Sequence, residues 1–96
     1  FEEFYYKLKV PKEPKHWTPL VQVPIEGNVE TVGWAWERPD GGRSVGYSGL
    51  HFHVNWRHEQ YQRLITQAVL WTLKRPIPKD GLKVKLDSKV LELKQP

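Results

Sequence analysis

The sequence contains no cysteine. Disulfides, thiolate nucleophiles and cysteine-based zinc sites are therefore excluded, and the redox compartment stays open. It contains no methionine either, so Phe1 does not read as a translation start. That predicts a processed or cut chain, with upstream sequence holding part of any site. No apolar run approaches the ~18 residues of a membrane-spanning helix, so no membrane span is expected. No signal peptide is visible. There is no phosphate-binding glycine loop and no dinucleotide glycine fingerprint. Gly46-Tyr47-Ser48-Gly49 lacks the spacing of a nucleophile elbow. Internal repeats and low-complexity stretches are missing too.

What is present is aromatic and weakly basic. Ninety-six residues bound one small domain. Five Trp, four Tyr and three Phe are a heavy aromatic load for that length. A chain of this size buries only about 60–65% of its unfolded surface, so it would have trouble covering every indole without a partner. Fifteen Lys and Arg oppose eleven Asp and Glu, a formal charge of +4. The bases are scattered, from Lys7, Lys9, Lys12 and Lys15 to Lys74, Arg75, Lys79, Lys83 and Lys85. Nucleic-acid binding calls for a concentrated basic stripe, so no nucleic-acid partner is expected.

Residues 1–10 alternate apolar Phe4, Tyr6, Leu8 and Val10 with Tyr5, Lys7 and Lys9, which predicts a short strand. Pro11, Pro14 and Pro19 make the following stretch a loop. Residues 20–23 form a brief apolar strand closed by Pro24, and Glu26-Gly27-Asn28 a turn. Residues 29–37 alternate with strand period: Val32, Trp34 and Trp36 on one face, Thr31, Gly33 and Ala35 on the other. Pro39-Asp40-Gly41-Gly42 is a hairpin loop and residues 43–50 the antiparallel return strand. Arg43 reads as a turn residue with an ion pair.

Residues 58–75 carry the helical period in Tyr61, Leu64, Ile65, Ala68, Trp71 and Thr72, with Val69 and Leu73 widening the apolar face. The pattern predicts Asn55 as N-cap, Glu59 in the first turn, Lys74 and Arg75 in the last, and Pro76 as the stop. It also predicts a heavily packed face with Trp71 in the core. Pro76-Ile77-Pro78-Lys79-Asp80-Gly81 is a linker. Residues 82–93 begin by alternating Leu82, Val84 and Leu86 with Lys83, Lys85 and Asp87, which predicts an edge strand or hairpin bending at Asp87-Ser88.

His51-Phe52-His53 is the sharpest constellation. Spacing of two puts both imidazoles on one face if the backbone is extended. Three readings stand. The pair holds a metal, with His58 or Glu59 as third ligand; or a histidine meets substrate at a strand end; or both are hydrogen-bonded scaffold. Asn55 and Trp56 either wall a pocket, where an indole would serve as a sugar platform, or anchor the helix start. Glu2 and Glu3 are either an acid pair or a solvated run.

Five short segments resemble a known family. Glu2-Glu3-Phe4-Tyr5 is similar to an Asp-Glu-Leu-Tyr segment. Val32-Gly33-Trp34-Ala35-Trp36 is similar to a Val-x-Trp strand. Gly42-Arg43 opens the next strand as in Gly-Arg-Val-Phe-Tyr. His51 and Trp56 match Gly-His-x4-Trp, and Leu70-Trp71 matches a Leu-Trp near the end of the following helix. In this order, residues 1–75 resemble the C-terminal portion of a trehalose-utilisation (ThuA-like) domain, with 76–96 as a Pro-rich linker and C-terminal β tail. Two departures stand out: Leu50 replaces the glycine before His51, and His53 is extra.

The resemblance implies an α/β fold: the C-terminal part of a flavodoxin-like, class I glutamine amidotransferase-like three-layer domain, with most of the parallel sheet outside this chain. It implies action on, or binding of, a disaccharide or keto-sugar. His51, Glu3 and Tyr5 are then the catalytic candidates, and His53, Asn55 and Trp56 the substrate-binding ones. The expected partners are a sugar ligand and the N-terminal portion of the same domain or another subunit. No cofactor or compartment is specified. The alternatives are a non-catalytic carbohydrate-binding or assembly module, and a small His-rich metal-binding domain.

Overall fold

The computed structural model describes residues 1–9 and 15–92. The expectations for Val10, Pro11, Lys12, Pro14 and Leu93 fall outside the described residues. Backbone contacts divide the chain into two compact units, Phe1–His51 and Phe52–Pro96. Among the described residues there are three antiparallel strands and one α-helix, a small mixed α/β arrangement.

The first unit is a meander in the order β1 (Trp17–Ile25), β2 (Asn28–Glu37), β3 (Arg43–Tyr47), with β2 central. The alternation in 29–37 therefore forms the strand expected of it. β1 is longer than the expected 20–23 and takes in Pro19. An edge strand tolerates proline because one row of its N–H groups has no ladder partner. The register with β2 also shifts on either side of Val21. Glu26 (φ 50°) and Gly27 (φ 81°) both take left-handed backbone between β1 and β2, as a tight two-residue hairpin requires.

Two glycine–aromatic pairs lock β2 to β3. Trp34 faces Gly46 and Gly33 faces Tyr47 across the ladder. A Cβ on Gly46 would lie 2.3 Å from Cζ2 of Trp34, so the bare backbone is what admits the indole. A Cβ on Gly33 would sit 3.0 Å from Cδ2 of Tyr47. Val32 is fully buried and Ala35 nearly so; among the described residues they are the only buried apolar side chains. Arg43 pairs with Glu37 at 3.9 Å.

Residues 1–9 form no regular strand. Lys7 takes left-handed backbone (φ 54°), which interrupts the alternation. The polar groups of Glu2 and Tyr5 bond instead to the chain just after β3. β3 itself ends at Tyr47 rather than residue 50, because Leu50 turns left-handed (φ 62°).

In the second unit a 3-10 turn, His53–Arg57, precedes α1 (Glu59–Thr72). The N-cap is His58, not Asn55, which lies within the 3-10 turn and accepts the His58 N–H through its carbonyl. Glu59 occupies the first turn and meets Arg63 at 3.3 Å, one turn on. The helix closes with Lys74 left-handed (φ 56°), the Lys74 N–H on the Trp71 carbonyl and the Arg75 N–H on that of Leu70. This is a Schellman closure with lysine in the usual glycine place. Trp71 and Leu64 are only half-buried and Val69 and Leu73 are exposed, so the described residues cover this apolar face only in part.

The tail also departs from expectation. Residues 82–86 form no strand, and Ser88–Leu91 is a 3-10 turn. The Leu82 N–H goes to Oε1 of Gln67 at 2.7 Å, and Asp87 Oδ1 accepts the Lys89 N–H at 3.0 Å. These side-chain bonds offer the backbone an alternative to a ladder. The bend does fall at Asp87-Ser88.

The β2–β3 loop generates an acid-sensitivity prediction. Gly42 donates its N–H to Oδ1 of Asp40 at 2.8 Å, and Nε of Arg38 lies 3.4 Å from the same oxygen. The Gly42 bond, reinforced by the Arg38 charge, holds the Asp40 carboxyl below its ordinary value of 3.8. A depressed folded value means the contribution is complete above the unfolded value and is lost as pH falls through the folded one. The Gly42 amide resonance should therefore move in acid with a midpoint below that of a free aspartate, and Asp40→Asn should abolish the movement. An amide indifferent to acid would contradict the loop geometry.

Candidate functional site

Glu2 and Glu3 come together with the turn that follows β3, forty-odd residues along the chain, and all of this lies within the first unit. The turn begins where the Ser48 N–H donates to the Val32 carbonyl at 2.8 Å, the last ladder-like bond beyond β3. Gly49 follows, then left-handed Leu50, then His51. Left-handed backbone costs a residue with a Cβ about 1–2 kcal/mol and suits glycine. The position where the resembled family has glycine is thus the one where this backbone adopts a glycine conformation while carrying leucine.

The N-terminal segment holds that turn. Oε2 of Glu2 accepts the Leu50 N–H at 2.9 Å and Oε1 accepts the His51 N–H at 3.2 Å. Oε1 also accepts the N–H of Glu3 at 3.0 Å. Ser48 Oγ donates to the Tyr5 carbonyl at 2.7 Å, and the Tyr5 N–H points back to the Ser48 carbonyl at 3.5 Å. The Phe4 ring meets Tyr47 edge-on, centroids 6.1 Å apart and planes at 85°. Gly49 passes close to both rings: a Cβ there would lie 2.6 Å from Oη of Tyr47 and 2.7 Å from Cε1 of Phe4.

The outcome is an imidazole beside a carboxylate. Nε2 of His51 lies 3.7 Å from Oε2 of Glu3, with the side chains 47% and 56% exposed. This is too long for a hydrogen bond and close enough for an ion pair once the ring is protonated. Both side chains are partly exposed, and the Tyr5 ring is exposed. Of the three expected catalytic residues, His51 and Glu3 meet through their side chains, while Tyr5 is tied by its backbone to Ser48.

His53, Asn55 and Trp56 belong to the second unit. His53 does not continue a strand beside His51; it opens the 3-10 turn, so the expected shared strand face is not formed. Its Nε2 lies 2.7 Å from the Leu91 carbonyl. A carbonyl only accepts, so that nitrogen carries the proton. Asn55 is buried, and the Trp56 carbonyl accepts from Nε2 of Gln62 at 2.7 Å. Among the described residues no group of three or more His, Asp or Glu is placed to hold a metal ion, so the three-histidine reading has no ligand cluster behind it.

Sequence reasoning raised Glu2 only as one of an acid pair with Glu3, and it passed over Ser48. The signal for Glu2 was in the motif itself, whose first position is an acid in both versions. Ser48 left no signal, because its partner is a backbone carbonyl. No known family model matches this chain, and comparison with curated proteins and with solved structures finds no significant match.

Two neighbouring substitutions should have opposite effects. Leu50→Gly relieves the left-handed strain and should leave stability within about 1 kcal/mol of the parent, or raise it. Gly49→Ala drives a methyl into Tyr47 and Phe4 and should cost about 1–3 kcal/mol. Thermal unfolding of the two variants checks this. A Gly49→Ala protein as stable as the parent would show that the N-terminal segment is not packed on the turn.

Proposed function

We propose that this chain is the C-terminal portion of a ThuA-like domain and acts on or binds a disaccharide or keto-sugar through His51. The observation that carries the reading is the meeting of Glu3 and His51. They come from two separate segments of the resembled pattern, and their side chains approach to 3.7 Å. Composition alone gives no reason for those segments to converge.

In this reading His51 is the acid/base or ligand group. A sugar hydroxyl that reaches the ring gives up or takes a proton there, and the Glu3 carboxylate stabilises the imidazolium as it forms. Catalytic contacts in an empty site are often long and tighten when substrate arrives, which accommodates the present separation. The exposed Tyr5 phenol supplies a further donor at the rim. An ion pair this exposed is worth only about 0–1 kcal/mol to folding, so stability gives little reason to retain it.

The flavodoxin-like surroundings belong to the same proposal. The half-covered apolar face of α1 suits packing against further layers, supplied by an N-terminal portion of the domain or by another subunit. A carbohydrate-binding module without catalysis uses the same groups and differs in lacking turnover.

In the intact protein, His51→Ala should weaken trehalose binding by at least about tenfold, equivalent to about 1.4 kcal/mol, with little change in melting temperature. Calorimetric titration with trehalose and with a keto-sugar, paired with thermal unfolding, makes the test. A destabilised variant that binds both sugars as the parent does would make His51 structural and end the proposal.

A further inference from the structure

We propose that Glu2 is the positioning residue for His51, holding both members of the His51–Glu3 pair by their backbones. The inference rests on the functional reading of His51 given above. One carboxylate accepts the N–H groups of Leu50, His51 and Glu3, at 2.9, 3.2 and 3.0 Å. The last two are the residues whose side chains meet at 3.7 Å. Glu2 itself touches neither reacting nitrogen nor reacting oxygen in these bonds, so it acts through the two residues it ties.

The turn needs such a tie. Leu50 sits in left-handed backbone, a conformation that persists in a residue with a Cβ only when the surroundings over-determine it. Adjacent N–H groups around a left-handed residue form a concavity suited to an anion, and the Glu2 carboxylate fills it with charge-assisted bonds. If that charge is removed, the Leu50 turn is free to relax toward extended backbone, which swings the imbedded His51 backbone, and its ring, away from Glu3. Phe4 on Tyr47 and Tyr5 on Ser48 would still keep the segment docked. The fold and the pair geometry are therefore separable.

The experiment is a double-mutant cycle read by NMR on the intact protein. The His51 ring resonances are recorded at one pH in the parent and in Glu3→Gln, then again in both forms carrying Glu2→Gln. In the parent, Glu3→Gln moves the His51 ring resonances, because the carboxylate lies 3.7 Å from the ring nitrogen. With Glu2→Gln already present the Glu3 substitution should have no such effect, and the Leu50 and His51 amides should exchange at least about tenfold faster. Glu2→Asp, which keeps the charge, should restore most of the coupling; a merely structural contact would show no such dependence on charge. Trehalose affinity should fall with the coupling.

Persistence of the full Glu3-to-His51 coupling in Glu2→Gln would overturn the proposal. So would collapse of the whole sheet in Glu2→Gln, since Glu2 would then be a structural residue. Absence of trehalose binding in every form, with the coupling behaving as expected, would remove the sugar reading and leave the positioning role standing.

Discussion

The Glu2 carboxylate on the Leu50 and His51 N–H groups is the interaction on which the first unit's functional end depends. It joins the start of the described chain to the turn beyond β3, and it does so at backbone level, where small displacements carry through to side chains. The contacts around it are aligned with it. Phe4 lies on Tyr47, Ser48 bonds Tyr5, and Gly49 leaves room for both rings. Each is modest alone, but together they leave the turn few alternatives. The energetic logic is one of mutual constraint: a left-handed leucine is tolerated because an anion, a ring and a hydroxyl all favour the same backbone path.

The sheet beneath supplies the rigid reference. β2 is central, and its pairings with β3 alternate glycine against aromatic on the two faces. Bare backbone at Gly46 and Gly33 lets Trp34 and Tyr47 lie across the ladder, so one of the rings that clamps the sheet, Tyr47, also carries Phe4. Packing in the strand and docking of the N-terminal segment are thus linked through a single side chain. The second unit is organised by different means. Gln62, Gln67 and Asp87 bond to backbone groups and shape the connections on either side of α1.

Legibility in the sequence followed the range of the forces involved. β2, the β2–β3 hairpin and α1 were readable because alternation, turn glycines and the 3.6-residue period are local signals. Segment 1–9 and the tail after residue 81 were misread as strands, since both alternate yet find their hydrogen-bond partners in side chains or distant backbone. The ends of β1 were missed because proline argues for a loop unless the strand is known to lie at an edge. Within the candidate site, the Glu3–His51 encounter could be anticipated only from the order of the resembled motifs. The role of Glu2 was hidden because its targets are backbone N–H groups, which carry no residue identity. The helical face of α1 was read as core from periodicity alone, which reports apolar surface and not what covers it.

The account stands most directly on the N-terminal segment resting against the turn after β3. Nuclear Overhauser spectroscopy of the intact protein in solution measures this. The structure predicts cross-peaks from the Phe4 ring protons to the Gly49 α-protons and to the Tyr47 ring. A spectrum in which the β2–β3 hairpin shows its ladder contacts while residues 2–5 give random-coil shifts and no cross-peaks to residues 47–51 would contradict it.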